Sequence, residues 1–532
     1  MKTAFYCAIA LLFVAASCKK YDPSKLTSTA WNPNFAIPLA YGNFDVYDIM
    51  ARTDSNDIVI IDPATGAIAL VYKGEIVSYE ASDVIQISDY GTTENISAGD
   101  LSMSTAPSFS ATASTNSTTT INPTVNAGVE LYTMNFKTGT LDLSVTTTLQ
   151  HDIDVTITIP ELTDGGTLVS RTINMPYGGT IPHTGSVSID LTNLDIDFTK
   201  SNTTFNELDI ETSVTVSGTG NPVTGAENVS INMDFSSISF NNATGYFGQQ
   251  NVGVDNDSIL VKIFENSTNG FFQLTDPKVR FTVENSFGFP VEIDFFDLRS
   301  IDVNTNSSFP LSGYPNPLQV TAPSAIGQSA TTVLELNTGN TTNIQSVVTP
   351  TPKYFYFEAN GTSNPQGNIA TNFVTDSSRF RVSGELELPL EGFAYGFYVT
   401  DTAEFSFSES VDEVESIMIR VNIDNGFPVE MTGEVKILDS LNNVLLDIFP
   451  TPAVVIEPAP VDANGRVTEK SNKITDILLE GNDIQLFTQA AKIVIAANSE
   501  SLDGTDGKIV KVFDDYNLDI KVGMQVQGAL EF

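Results

Sequence analysis

A period of two runs through this chain and constrains its fold more than any other feature. Stretch after stretch alternates apolar with polar residues, as at Leu141–Leu143–Val145, Val155–Ile157–Ile159 and Val279–Phe281–Val283. Successive side chains of a strand point to opposite faces of a sheet, so this alternation suits half-buried strands and not an amphipathic helix. Thr, Val, Ile and Phe dominate the alternating stretches, and Gly, Asn, Asp and Pro interrupt them at short intervals. Those are the residues that fill strands and make turns. The expected fold is therefore all-β: elongated, tandem β-sandwich modules with few short helices. The best helix candidate runs from Asp483 to Ala491, opened by Asn482–Asp483 as a cap and followed by the strand-like Lys492–Ala496.

Within this pattern one segment repeats. Gly288–Phe289–Pro290–Val291–Glu292 recurs unchanged as Gly426–Phe427–Pro428–Val429–Glu430. At the same offset, Val279, Phe281 and Val283 align with Ile417, Ile419 and Val421. A fainter third copy falls at Leu143 to Ile157. The physical sense is a strand, a turn after Asn or Asp, then a Pro that starts an edge strand where no ladder donor is needed. This strand–Asn–turn–Phe–Pro–strand pattern resembles the small β-sandwich domains of the late-embryogenesis-abundant and water-stress type, over about 25 residues per copy. Such domains lack a catalytic centre, so the resemblance implies a binding or spacer module. The expected modules are thus immunoglobulin-like or of that late-embryogenesis type.

Composition divides the chain further. Residues 1–17 read as a signal peptide, 18–29 as a polar tether and 30–101 as a first β region. The Ser-, Thr- and Ala-rich stretch 102–126 reads as a linker or long loop. Three β-sandwich modules are expected at 127–250, 251–410 and 411–532, the second with an Asn-, Thr- and Pro-rich insertion around 303–352.

The start of the chain has the three parts of a secretory signal: basic Lys2, the apolar run Ala4–Ala16, and small residues before Cys18. An apolar run of about 13 residues is too short to span a bilayer as a helix, which needs roughly 20. Ala15–Ala16–Ser17–Cys18 resembles the lipobox of bacterial lipoproteins. That resemblance implies cleavage before Cys18 and acylation of its sulfur and amino group, several chains together giving durable anchoring. A second resemblance covers both ends of the chain. Trp31–Asn32–Pro33, Ala36–Ile37–Pro38–Leu39 and Asp48–Ile49–Met50 look like the opening of large uncharacterised outer-membrane lipoproteins of the Bacteroidota type, and Asp514 to Gly523 looks like their closing strand. It implies a lipid-anchored protein of the outer membrane and no particular activity. Surface-exported members often carry acids directly after the cysteine; here Lys19–Lys20–Tyr21–Asp22 follow, which leaves the surface and periplasmic faces both open.

Charge and composition exclude several functions. Lys and Arg number 25 against 65 Asp and Glu, for a formal net charge of −40. Such a body repels nucleic acid and anionic membrane surfaces. The two cysteines are Cys7, inside the signal, and Cys18. After cleavage Cys18 alone remains, with no disulfide partner and no cysteine metal site. The two histidines, His151 and His183, are expected at the surface or in loops. Neither has a Gly-x-Ser-x-Gly elbow beside it, and no His-Glu-x-x-His occurs.

The candidate metal ligands are Asp503 and Asp506, in the glycine-rich turn Asp503–Gly504–Thr505–Asp506–Gly507 near Asn498 and Glu500. Oxygen ligands on a sharp turn suit Ca2+, although the EF-hand spacing is absent. Three triplets, Asp257–Ser258–Ile259, Asp401–Thr402–Ala403 and Asp439–Ser440–Leu441, resemble O-glycosylation acceptors of Bacteroidota export. Phe271–Phe272, Tyr354–Phe357 and Phe393–Tyr398 are candidate glycan platforms, against the ordinary use of alternating aromatics in cores.

The expected function is a lipid-anchored, non-enzymatic component of the cell envelope that binds an envelope protein or a glycan, or acts as a scaffold. Two other readings stand beside it. One is a carrier of a hydrophobic ligand, which a packed core would exclude. The other is a hydrolase with two unrecognised carboxylates, which needs a cleft that brings them together.

Overall fold

The computed structural model describes residues 33–50, 59–103, 105–122, 125, 127–261, 270–302, 305–349, 352–404, 414–449 and 451–528. Cys7, Cys18, Lys19, Lys20, Tyr21, Asp22 and Trp31 lie outside the described residues. The fold is all-β, 61% strand and 5% helix, with antiparallel sheets throughout.

Contacts divide the chain into two compact units. The first takes its described residues from Met1–Leu70, Lys262–Thr275 and Pro389–Phe532, the second from Val71–Val261 and Asp276–Leu388. Strands β1 (Asn34–Asp45), β2 (Val59–Ile61) and β3 (Ile68–Glu80) come first in sequence, with helices α1 (Val46–Met50) and α2 (Ala81–Val84). Nine strands follow in the second unit: β4 (Tyr90–Ser97), β5 (Thr112–Ile121), β6 (Glu130–Thr147), β7 (Asp152–Asp164), β8 (Thr167–Met175), β9 (His183–Asp190), β10 (Asp195–Asp197), β11 (Leu208–Ser217) and β12 (Asn228–Tyr246). With the later β21 (Asn372–Thr375) they make a ten-stranded sheet. Its main path is β21-β12-β6-β10-β7-β11-β5, and β4, β9 and β8 pair with β12, β6 and β7. Alternation does what it predicts here: Leu141, Leu143, Val145, Val155, Ile157 and Ile159 are all at most 1% exposed.

Two sequence expectations fail in this sheet. The stretch 102–126 is not a simple linker, because Thr112–Ile121 forms β5 and pairs with β11 from Ile121↔Leu208 to Thr112↔Ser217. Its Ser and Thr hide a strand: β-branched Thr suits a pleated strand, and β5 is exposed or half-buried until Ile121. The proposed third repeat is not reproduced either, since β6 and β7 lie in one sheet with β10 between them.

The rest of the second unit is a two-sheet module, module 1. Its strands are β13 (Asn251–Leu260), β15 (Lys278–Asn285), β16 (Val291–Asp302), β17 (Ser308–Pro310), β18 (Leu318–Val320), β19 (Ala330–Leu336), β20 (Pro352–Ser363) and β22 (Arg379–Pro389), with helix α3 (Ile344–Val348). One sheet runs β19-β15-β22-β3, the other β13-β20-β16-β17 with β18 also on β16. The stretch around 303–352, expected as an insertion, therefore supplies β17, β18 and β19 to the two sheets.

The first unit holds module 2. Its strands are β24 (Phe397–Glu404), β25 (Val414–Asn425), β26 (Val429–Leu438), β27 (Val444–Asp447), β28 (Ala453–Ile456), β29 (Ser471–Glu480), β30 (Lys492–Ser501) and β32 (Asn517–Gly528), with helix α4 (Asn482–Phe487). One sheet runs β29-β25-β32-β1, the other β24-β30-β26-β27 with β28 also on β26. A small sheet joins β14 (Phe271–Leu274), β23 (Glu391–Tyr395) and β31 (Val510–Lys511). Helix α4 is shorter than the expected Asp483–Ala491. Ala490 N–H bonds back only to Phe487 O (3.2 Å), and Ala491 N–H turns to Leu438 O on β26 (2.8 Å), so a sheet contact replaces the next helical turn.

Apart from β2, which pairs with the start of β3, modules 1 and 2 have the same pairing order, and in each a helix follows the outermost strand of the first sheet. Their register is specific. Val291, Ile293 and Phe295 of β16 face Ser363, Gly361 and Ala359, as Val429, Met431 and Gly433 of β26 face Ser501, Ser499 and Ala497. Asn285 faces Phe380 as Asn425 faces Leu518. The last pair corrects the sequence alignment: Asn425 holds the place of Asn285, so Ile419, not Ile417, holds that of Val279. The turn after Asn285 is two residues longer, and a slip of two leaves every side chain on its own face.

Connectivity is nested. Module 2 opens with β1 and resumes only at β24, and module 1 opens with β3 and resumes at β13, after β4–β12. β1 and β32, near opposite ends of the chain, pair from Asn34↔Gln527 to Asp45↔Asn517, with one bulge between Pro38 and Ala40.

Candidate functional site

Within module 1, between its two sheets, lies a cavity of about 340 Å³. It follows from the inward row of β20, which reads Phe355, Phe357, Ala359, Gly361, Ser363. Side-chain volume falls along that row. Phe355 and Phe357 are 1% and 2% exposed and fill their half of the sandwich, whereas the small residues beyond leave space. Close-packed interiors rarely leave a void of this size. Val291, Ile293 and Phe295 of β16 continue the β20 wall in the same sheet, and Phe380 and Val382 of β22 with Ile76 and Val77 of β3 form the facing wall. Phe287 and Phe289, from the turn between β15 and β16, close one side, their rings stacked at 5.1 Å.

Polar groups gather at one end. Tyr79 ends the β3 wall, and Asp83 and Val84 come from α2. Gln250 ties this end together: its Nε2 donates to Val84 O (3.0 Å) and Phe247 O (3.2 Å), and its N–H donates to Ser363 Oγ (2.8 Å). Asp83 accepts the N–H of Glu80 (2.8 Å). Burial, and secondarily the charge of Asp83, push the Tyr79 hydroxyl above its usual pKa, so it stays protonated at neutral pH. An apolar space with a few polar groups at one end is the usual form of a small-molecule site.

A second cleft, about 570 Å³, opens on the ten-stranded sheet beside Glu161, Asp195, Asp197 and Lys200. Its groups are engaged locally. Lys200 pairs with Asp209 (2.6 Å), Asp195 accepts from Asn135 (2.7 Å), and Asp197 accepts the Thr199 N–H (2.8 Å).

The residues singled out by sequence fall in various places. Asp503 has φ +52° and pairs with Lys508 Nζ (2.9 Å), and Asp506 lies in the following 3-10 turn. Among the described residues no group of three or more His, Cys, Asp or Glu is placed to hold a metal. Glu500 is raised above the usual carboxylate range by burial and by the charges of Glu430, Asp503 and Asp506.

His151 lies in the loop between β6 and β7, one of the two places expected for it, but it is 0% exposed and not at the surface. Its Nδ1 accepts the Thr219 N–H (3.3 Å), its ring lies 5.3 Å from that of Phe109, and its Nε2 is buried without a partner. Burial lowers its pKa. His183 opens β9 and donates from Nε2 to Leu149 O (3.0 Å).

Asp257 and Asp401 take corresponding places on β13 and β24, opposite Phe357 and Ile495, and each accepts the N–H of the next residue (2.7 and 2.8 Å). Of the aromatic platforms, Phe272, Phe355 and Phe357 are buried, while Phe271 stacks on Tyr395 at 5.0 Å. The sequence reading missed the cavity. The signal for it was the run of small residues after two phenylalanines in β20.

No family model matches the chain, and no curated protein matches it. Among solved structures it is similar to a candidate secreted protein of Parabacteroides distasonis, at 12% identity and TM-score 0.30, over 54% of this chain and 90% of that one. It is also similar to the triple jelly roll protein of an archaeal virus turret, at 11% identity and TM-score 0.11, over 79% and 90% of the two chains. A third similarity is to VP2 of infectious bursal disease virus, at 8% identity and TM-score 0.15, over 76% and 74%.

Proposed function

We propose that this chain is a non-enzymatic binding protein of the cell envelope, held at the outer membrane by lipid on Cys18, that carries a small apolar ligand in module 1. The carrying observation is the 340 Å³ cavity and its phenylalanine walls. A cavity of about 150 Å³ takes benzene, so this one suits about a dozen carbon atoms. A ligand of that size gains about 6 to 8 kcal/mol at ordinary efficiencies, a dissociation constant in the micromolar range. The common pairing order and shared Gly-Phe-Pro-Val-Glu segment support reading modules 1 and 2 as copies of one repeat. The acidic surface keeps such a body off nucleic acid and anionic lipid.

The test is titration of the mature protein with an uncharged, environment-sensitive fluorophore, beside Ala359→Phe. Ala359 lines the cavity and is 8% exposed, so a phenyl ring there fills the space. Saturable one-to-one binding in the parent and none in a variant with unchanged circular dichroism supports the reading. No saturable binding, or equal binding in both, overturns it.

A further inference from the structure

The polar end of the cavity is selective in sign. Its lining includes Asp83 and no Lys, Arg or His. Lys73 and Arg381 lie on the outer face of the β22–β3 sheet, where they pair with Glu385 (2.9 Å) and Glu75 (3.2 Å). Gln250 spends both amide hydrogens on Val84 O and Phe247 O, which leaves its oxygen, an acceptor. Ser363 Oγ accepts from the Gln250 N–H and donates to Gly248 O (3.2 Å). The Asn251 side-chain oxygen accepts from Thr362 Oγ1 (2.9 Å), and Tyr79 adds a hydroxyl to the lining. A carboxylate entering here would meet Asp83 with no cation among the lining residues to offset the repulsion.

From this charge pattern and the cavity volume we infer that the ligand is a single-chain amine: an apolar body of about a dozen carbons whose ammonium end lies at Asp83. This rests on the apolar-ligand reading above and adds the chemistry of the head group. An alcohol of equal length fills the same space without the charge, and a fatty acid of equal length is disfavoured. Asp83 is exposed, so the charge pair and the matching repulsion are each weak and together separate amine from acid by about tenfold.

The experiment measures dodecylamine, dodecan-1-ol and dodecanoate, each displacing the fluorophore from the mature protein at physiological salt. Asp83→Asn and Ala359→Phe are measured in parallel. The Asn keeps an oxygen to accept the Glu80 N–H, so α2 keeps its N-terminal bond. The expected result is amine about tenfold tighter than acid with the alcohol between, a gap that narrows to about threefold in Asp83→Asn, and loss of all three in Ala359→Phe. Dodecanoate within about threefold of the amine in the parent overturns the inference, as does a gap unchanged in Asp83→Asn. Amine binding that persists in Ala359→Phe also overturns it, because it places the amine on the acidic surface. If none of the three displaces the fluorophore although the fluorophore binds, the head-group inference fails and the cavity reading survives; if the fluorophore itself does not bind, both fail.

Discussion

Asn285 and Asn425 do the same work in two strand–turn–strand units far apart in the sequence. They are 0% and 2% exposed. The Oδ1 of each accepts the N–H of the phenylalanine two residues on, Phe287 and Phe427, at 2.9 Å in both cases. Asn285 Nδ2 donates to Phe289 O (3.0 Å) and Thr321 O (3.1 Å). Asn425 Nδ2 donates to Phe427 O (2.9 Å), Val429 O (3.0 Å) and Glu457 O (2.8 Å). A buried amide that serves both donors and acceptors of a turn satisfies backbone groups which would otherwise be stranded as the chain passes from one sheet to the other.

Replacing either asparagine should therefore be costly, and the order of cost is diagnostic. Asn425→Ala leaves the turn's N–H and carbonyls unpaired, at about 2–4 kcal/mol. Asn425→Asp should cost more, because a carboxylate would face carbonyl oxygens that need a donor. Urea unfolding of both variants checks this; aspartate better tolerated than alanine would contradict the assigned bonds.

His151 should make stability fall on acidification. Burial depresses its pKa in the folded protein, so the unfolded chain binds a proton more readily and stability rises with pH across the window. Stability is complete above the unfolded value of about 6.5 and declines below it until the lowered folded pKa is passed. In His151→Gln the difference in unfolding free energy between mildly alkaline and mildly acidic buffer should shrink. An unchanged difference would place the pH dependence elsewhere.

Arg280 bonds three carboxylates on neighbouring strands: Glu335 (2.9 Å), Glu387 (3.2 Å) and Glu385. It sits directly opposite Glu335 on β19 and Glu385 on β22. Arg280→Gln leaves those acids to repel one another and should cost about 1 kcal/mol, with the deficit shrinking as salt is added. Glu335 is held below the usual carboxylate range mainly by the Arg280 hydrogen bond. Its contribution is present above its ordinary pKa and lost as pH falls through the lowered one, so the variant's deficit should close as the buffer is acidified. Chemical denaturation across a salt series measures the first effect, and a deficit independent of salt would refute it.

Cys18→Ala should abolish acylation and move the protein from the membrane fraction to the soluble one. Membrane partitioning equal to the parent's would rule out the lipid anchor. Protease treatment of intact cells carrying the parent then separates the two faces, with loss of the body on the surface and protection in the periplasm.

Much of this protein was settled by its sequence alone. Alternation is a local property of a strand, so Leu141–Val145, Val155–Ile159 and Val279–Val283 became buried rows as their spacing requires, and the all-β class followed. The repeated Gly-Phe-Pro-Val-Glu segment marked two turns whose strands pair alike. What tertiary structure decided was partnership. Backbone hydrogen bonds form sheet ladders, and no side chain in β1 names β32 as its neighbour. The strand hidden in Ser- and Thr-rich residues 112–121 exists because β11 supplies its ladder, and His151 is buried because distant segments meet over it. The cavity divides the same way. The taper from Phe357 through Ala359 to Ser363 is written in the chain, yet it became a space only because the β22 and β3 wall stands opposite and leaves it unfilled.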